Sequence, residues 1–283
     1  MEEIVNLLTV DVEDYFMVSA FSDTVGTHQW GHFESRIQRN TIAILDIIDK
    51  YAVKGTFFVL GWVAEHHPWI VKEIDRRGHE VACHGYCHRL VYNMSPEEFR
   101  EDTRRAKATI EGIVGKAVSG YRAPSYSITE DSMWALGILA EEGFEYDSSI
   151  FPVHHDRYGF PSYSRFPRIE ETGTNGTILE IPLSTINVLG KNLPVGGGGY
   201  LRMYPLWLTH FAIRKLNHEE RKSAVVYVHP WELDPEQPRL RGTVLSRFRH
   251  YINLEKTERR LESLLGSYRF CSIRQMVRDE SFA

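Results

Sequence analysis

The sequence predicts an α/β protein: an irregular (β/α) barrel of about seven or eight parallel strands, formed as one domain over residues 1–283. Three observations predict it. Short apolar runs alternate with amphipathic helical patterns along the whole chain, and strand–helix alternation builds a parallel sheet with crossover helices. The polar residues capable of chemistry fall just after the apolar runs, as they do where parallel strands open their C-terminal ends on one face. The glycine fingerprint of a dinucleotide fold is missing after the first run, which disfavours the alternative, an open doubly wound sheet.

Taken in order, Ile4–Val10 is apolar enough for a buried strand. Arg39–Lys50 carries Ile42, Ile44, Leu45, Ile47 and Ile48 on one helical face. Thr56–Leu60 is β-branched and aromatic, a strand. Val63–Arg77 reads as one helix with Gly78 at its stop. Glu80–Cys83 is a short strand. Ser95 and Pro96 open a helix running to about Ile113, with Ser as cap and Pro in the first turn. Val118–Tyr121 is a strand, and Thr129 caps a helix through Glu142. Phe144–Tyr146, Ile178–Leu183 and Ala224–Val228 are strands, Leu254–Leu265 is a helix, and Arg269–Ile273 is the last strand. The glycine run inside Val195–Tyr200 lacks a following GK[ST], so it is expected as a flexible loop at the site mouth rather than a phosphate cradle.

Composition narrows function by exclusion. Lys plus Arg is 33 and Asp plus Glu 38, a formal charge of −5, with 42% apolar and 25% charged residues. These are globular proportions. Basic pairs such as Arg104–Arg105 are short, so no nucleic-acid surface is expected. Three cysteines are too few for a disulfide framework. No run is apolar enough to span a membrane, and the N-terminus lacks the basic and apolar regions of a signal peptide, so the expected location is the cytoplasm. Oligomeric state is not legible.

Chemistry concentrates at five strand exits. His84 and His88 follow Val81–Cys83; two imidazoles four residues apart can share a metal from one helical turn. Cys83 and Cys87 beside them leave a structural zinc site open, although no second cysteine pair follows. Asp11, Glu13 and Asp14 end the first strand, where alternation places residues 11 and 13 on the same side. Such carboxylates can divide labour, one on the metal and one free as a base. Two imidazoles with one carboxylate leave a position open for water and substrate, the pattern of catalytic zinc. His229 follows Val225–Val228, Arg122 follows Val118–Tyr121, and Asp147 follows Phe144–Tyr146. Each has a plainer reading: a satisfied core histidine, a surface ion pair, a solvated acid. His66–His67 and His154–His155–Asp156 are expected outside the site.

The set, in its order, resembles the polysaccharide deacetylase family, the NodB-homology esterases that remove N-acetyl groups from amino sugars. The resemblance rests on TVDVED after strand one, His84 and His88, Arg122–Ala123–Pro124, Asp147–Ser148–Ser149, and Val228–His229, spanning residues 9 to 229. DVEDYF, HPWEL and a C-terminal extension from about residue 190 are similar to the branch found with bacterial exopolysaccharide clusters of the exosortase type. The resemblance implies the deacetylase type of irregular barrel and one divalent metal ion, Zn2+ first. It implies Asp11 as general base, His84 and His88 plus Glu13 or Asp14 as metal ligands, and His229 as general acid. Arg122 would orient the base, Asp147 would support the site, and Ser125, standing where many relatives carry an aromatic, would face substrate. Strand alternation favours Glu13 as the ligand; residue type favours Asp14. The implied reaction is metal-dependent hydrolysis of N-acetyl groups on a glycan or its precursor. The competing readings are hydrolysis of another C–N bond, in a small amide or cyclic ureide, and an inactive barrel that binds glycans.

Overall fold

Strand β1 (Val5–Val12) is buried from Asn6 onward and anchors the molecule, seen here as a computed structural model that describes residues 4–173 and 176–279. Its residues alternate strictly. Leu8, Val10 and Val12 face the helices in the larger apolar core, while Leu7 joins Phe58, Tyr146, Leu179 and Tyr227 inside the sheet's curve. The inner row then runs from Leu7 through Thr9 to Asp11, so the same period that packs the core aims a carboxylate inward. Each fully buried Val, Leu or Phe in these layers is worth roughly 1.5–3 kcal/mol.

After β1 come α1 (Ile37–Lys50), β2 (Thr56–Val59), α2 (Gly61–His66), α3 (Pro68–Arg76) and β3 (Glu80–Cys83). Then follow α4 (Pro96–Val114), β4 (Gly120–Tyr121), α5 (Trp134–Glu141) and β5 (Tyr146–Asp147). The second half holds β6 (Arg168–Glu171), β7 (Thr177–Glu180), β8 (Thr185–Val188), β9 (Lys191–Pro194), α6 (Gly198–Met203) and α7 (Leu206–Arg214). It ends with β10 (Val225–Val228), α8 (Val244–Tyr251), α9 (Thr257–Leu265), β11 (Arg269–Cys271) and α10 (Ile273–Asp279). Among the described residues nine strands join one sheet, in the order β10-β1-β2-β3-β4-β5-β7-β6, with β11 also on β1. All pair in parallel except β6, which runs antiparallel to β7. Eight parallel strands over one continuous sheet agree with the expected class.

The seam between β7 and β10 is bridged by the chain itself. Leu183 N–H donates to Ile150 O (3.0 Å), Val225 N–H to Ser184 Oγ (2.7 Å), and Tyr227 N–H to Gly196 O (2.8 Å). The glycine run is therefore not the flexible loop expected from sequence. A Cβ on Gly197 would meet Tyr227 O at 1.9 Å, and Gly197 has φ +147°, so only glycine lets the backbone lie this close to β10.

Several boundaries differ from the sequence reading for identifiable reasons. The helix expected over Val63–Arg77 is two helices, broken at His67–Pro68 because proline clashes with the preceding turn. The helix expected from Thr129 begins as a 3₁₀ turn, Glu130–Ser132, before α5. The last strand stops at Cys271, and Ile273 opens α10. No helix among the described residues is long and apolar enough to cross a membrane.

Candidate active site

The inner row of β1 and the first residues beyond β3, β4 and β10 meet on one rim. Glu13, His84 and His88 are all buried and each offers a ligand atom, these atoms lying within 4.8 Å of one another. Glu13 continues the inward alternation of Asp11. The two histidines converge by a route the spacing did not suggest. Residues 84–88 form no helical turn; Gly85 (φ +73°) and His88 (φ +53°) fold the loop back so that the rings face each other at 5.5 Å. Cys83 and Cys87 are free and stand outside this group, which removes the cysteine zinc alternative.

Asp14 is not among the gathered side chains; the turn after β1 sends it elsewhere. Its Oδ2 accepts from Arg36 N–H (2.7 Å), Ile37 N–H (3.1 Å) and Ser35 Oγ (2.9 Å), so it satisfies the start of α1. The same helix start ties down the His229 loop, because the Arg36 guanidinium donates to Asp234 Oδ2 (3.1 Å).

The residues present fit a divalent ion. Glu13 Oε2 is a buried carboxylate oxygen without a hydrogen-bond donor: His88 Nε2 approaches it at 2.8 Å but not in hydrogen-bond geometry, as two ligands of one ion would. His84 Nδ1–H donates to Arg122 O (2.8 Å), which fixes the tautomer and leaves Nε2 as donor atom; Ser19 Oγ stands 3.2 Å from His88 Nδ1. Burial drives the His84 imidazole down to about 4, so it is neutral and able to ligate. Burial alone would raise Glu13, but His88, His229 and His84 together hold its carboxyl at about 2.

Asp11 is held beside this cluster by a fully buried Arg122. Nη1 donates to Asp11 Oδ1 and Thr9 Oγ1 (both 2.8 Å), Nε to Ser148 O (3.0 Å) and Nη2 to Ser148 Oγ (2.9 Å). Such a pair offsets its desolvation only when its polar atoms are well satisfied, and here each guanidinium nitrogen has a partner. The other oxygen, Asp11 Oδ2, accepts from Tyr126 OH at 3.4 Å and lies 3.8 Å from His229 Nε2. Asp147 lies one layer back. It touches neither Asp11 nor His229 by hydrogen bond; it accepts from Ser149 Oγ (2.6 Å), which in turn accepts from Ala123 N–H (2.7 Å). Through Ser149 it is linked to the backbone of the turn that carries Arg122, in keeping with the supporting place expected for it. Burial pushes both Asp147 and its neighbour Glu180 up. Ser125, at φ +52°, bonds Ser19 Oγ (2.9 Å) and so borders the His88 side of the site.

Three residues of importance went unnoticed in sequence. Glu232 Oε2 accepts from His229 N–H (2.9 Å) and faces His229 Nδ1 at 3.0 Å, while its Oε1 accepts from Arg202 Nε (2.7 Å). Trp231 Nε1–H donates to Glu13 Oε1 (3.2 Å). Thus His-Pro-Trp-Glu forms one 3₁₀ turn with His229 at the cap and Glu232 reaching back, the i, i+3 spacing of a capping box. That spacing was the available signal. Burial opposes a charge on His229, but Glu232, then Glu13 and Asp11, overcome it and push the imidazole up to about 9. His154–His155–Asp156 and His66–His67 are not in the cluster.

Fold and site together define a class: a (β/α) barrel with a candidate metal centre at the strand exits, a free carboxylate on one side and a carboxylate-backed imidazole on the other. The family model described as Polysaccharide deacetylase matches residues 25–144. A second model, Domain of unknown function (DUF3473), matches residues 148–278. The chain is similar to a peptidoglycan-N-acetylglucosamine deacetylase of Bacillus cereus, 34% identical over 96 residues, covering 34% of this chain and 35% of the relative. It spans about a third of the length of the first curated relatives it matches. Among solved structures, a Mycobacterium smegmatis protein assigned to the polysaccharide deacetylases superposes with TM-score 0.61 at 22% identity, covering 99% of this chain and 92% of that one. A Puue allantoinase does so with TM-score 0.61 at 15% identity, covering 97% and 89%. Both show a shared fold.

Proposed function

We propose that this chain is a metal-dependent hydrolase that removes N-acetyl groups from amino sugars of a polysaccharide or its precursor. The observation that carries the reading is the convergence of Glu13, His84 and His88 within 4.8 Å, with Asp11 and His229 alongside. Glu13, His84 and His88 would hold one divalent ion, and zinc suits a set of two imidazoles and one carboxylate. The chemistry such an ion supplies when bound is polarisation of a carbonyl and a lowered pKa for water.

The chain's own groups do the rest. Arg122 engages Asp11 Oδ1, which leaves Oδ2 aimed into the site as the acceptor of the proton lost by the attacking water. His229 presents Nε2 to the same space, because Glu232 holds the Nδ1 side. A cationic His229 then gives its proton to the departing amine nitrogen, so acetate and a free amino sugar leave together. Ser125 and Tyr126 border the space that the acetylated sugar would enter. DVEDYF and HPWEL support a bacterial exopolysaccharide as the glycan.

One sample settles the matter: metal content and acetate release from N-acetylglucosamine oligomers, before and after chelation, with a cyclic ureide as contrast substrate. Acetate release that chelation abolishes and added metal restores is expected. A metal-loaded protein that releases no acetate, or that opens the ureide instead, overturns the reading.

A further inference from the structure

A second concavity lies on the same rim, reached past Trp231. It is a cavity of about 160 Å3 whose wall includes Val18 from the loop after β1, Arg157 from the loop after β5, Arg202 of α6, Trp231, and Arg249 and His250 of α8. Whole small ligands fill about 300–1,000 Å3, so this space takes one substituent of a larger molecule. Trp231 joins it to the site, since the same indole donates to Glu13 Oε1.

Its charge is distinctive. Three guanidiniums border it and no carboxylate lines it, in a chain whose formal charge is −5. Arg202 is consumed by Glu232 and by the carbonyls of His250 and Ile252. The other two are not comparably neutralised. Arg249 reaches only the exposed Asp156, at 3.4 Å from each oxygen, a solvent-screened pair of little strength. Arg157 is exposed, and both guanidiniums lie close enough to act on His155.

Resting on the deacetylase reading, we infer that this cavity is an anion subsite in which Arg157 and Arg249 grip a carboxylate or phosphate carried by the glycan near its acetamido sugar. A planar guanidinium fork suits both oxyanions and would select charged over neutral polymers. A uronic acid within the polymer or a phosphate at its reducing end would supply that chemistry.

Steady-state acetate release tests it on three substrates: a neutral N-acetylglucosamine oligomer, the same oligomer with a reducing-end phosphate, and an oligomer alternating N-acetylglucosamine with glucuronic acid. At least one anionic substrate should show a KM about tenfold below the neutral one, an advantage that shrinks as salt rises. Arg249→Gln and Arg157→Gln should erase that advantage without changing kcat or turnover of the neutral oligomer. Preference for the phosphate alone or the uronate alone supports the subsite and identifies the source. Equal KM values, or variants that depress neutral and anionic substrates alike, overturn it. Calorimetric binding of both anionic oligomers to the wild type and the Arg249→Gln protein decides the subsite independently of turnover. Binding lost in the variant supports it, and no binding to the wild type overturns it. Failure of acetate release from every substrate with metal bound counts against the deacetylase reading instead.

Discussion

Glu13 and Asp14 are neighbours with the same functional group, yet β1's alternation sends one carboxylate to the ligand cluster and the other to the backbone of α1. Their substitutions should therefore separate. Glu13→Gln should lower bound metal and activity together. Asp14→Ala should leave metal content near stoichiometric and reduce stability by about 1–3 kcal/mol, because buried N–H donors lose their acceptor. Metal analysis with denaturant unfolding checks both. His229 offers a parallel separation: His229→Ala should keep metal and lose about 10²–10⁴-fold in turnover, whereas His84→Ala should lose both. The pH profile carries a sign. As the proposed acid His229 would act protonated, and its imidazole is pushed up to about 9, so kcat/KM should fall as pH rises through that region. Glu232 is the leading influence holding it up, so Glu232→Gln should move the alkaline limb to lower pH. An unmoved limb would show that Glu232 does not govern the acid. Residue type alone did not disclose this: Glu232 looks like any helix-cap acid until the fold brings Arg202 behind it.

Two elements hold these residues in register. The start of α1 is braced on both sides, by Asp14 from the β1 loop and by Asp234 from the β10 loop. The other element is the glycine run, which lays its backbone on β10 directly before His229. Gly197→Ala would place a methyl group 1.9 Å from Tyr227 O, so the strand must shift. A marked loss of thermal stability and of turnover is expected, at least the 1–3 kcal/mol typical of overpacking. Gly199→Ala is the control, since its nearest neighbour is 3.9 Å away and it lies within α6. Equal effects from both would show that close backbone approach is not what the glycines provide. Strand exits were legible because apolar runs end abruptly in polar residues. The β8–β9 hairpin, α6 and α8 were not, because they are short and only half buried and their periodicity is weak. HxxxH was legible as a pair but not as a loop, since two left-handed residues rather than a helical turn bring the rings together.

At the scale of the molecule, the site draws on both matched regions. Residues 25–144 supply His84, His88 and Arg122, and residues 148–278 supply His229, Trp231 and Glu232. A bound ion would stabilise the folded state over the unfolded chain by mass action. Thermal unfolding should therefore shift upward when zinc is added to the wild type, and not for His84→Ala; a shift retained in the variant would locate the ion elsewhere.

Trp231 has a double allegiance: its ring walls the cavity on one side and its N–H steadies Glu13 on the other. Were an ion at Glu13 and an anion in the cavity coupled through this indole, linkage would make the effect reciprocal, each changing the other's affinity by the same factor. Trp231→Phe, which keeps the ring but deletes the N–H, would uncouple them.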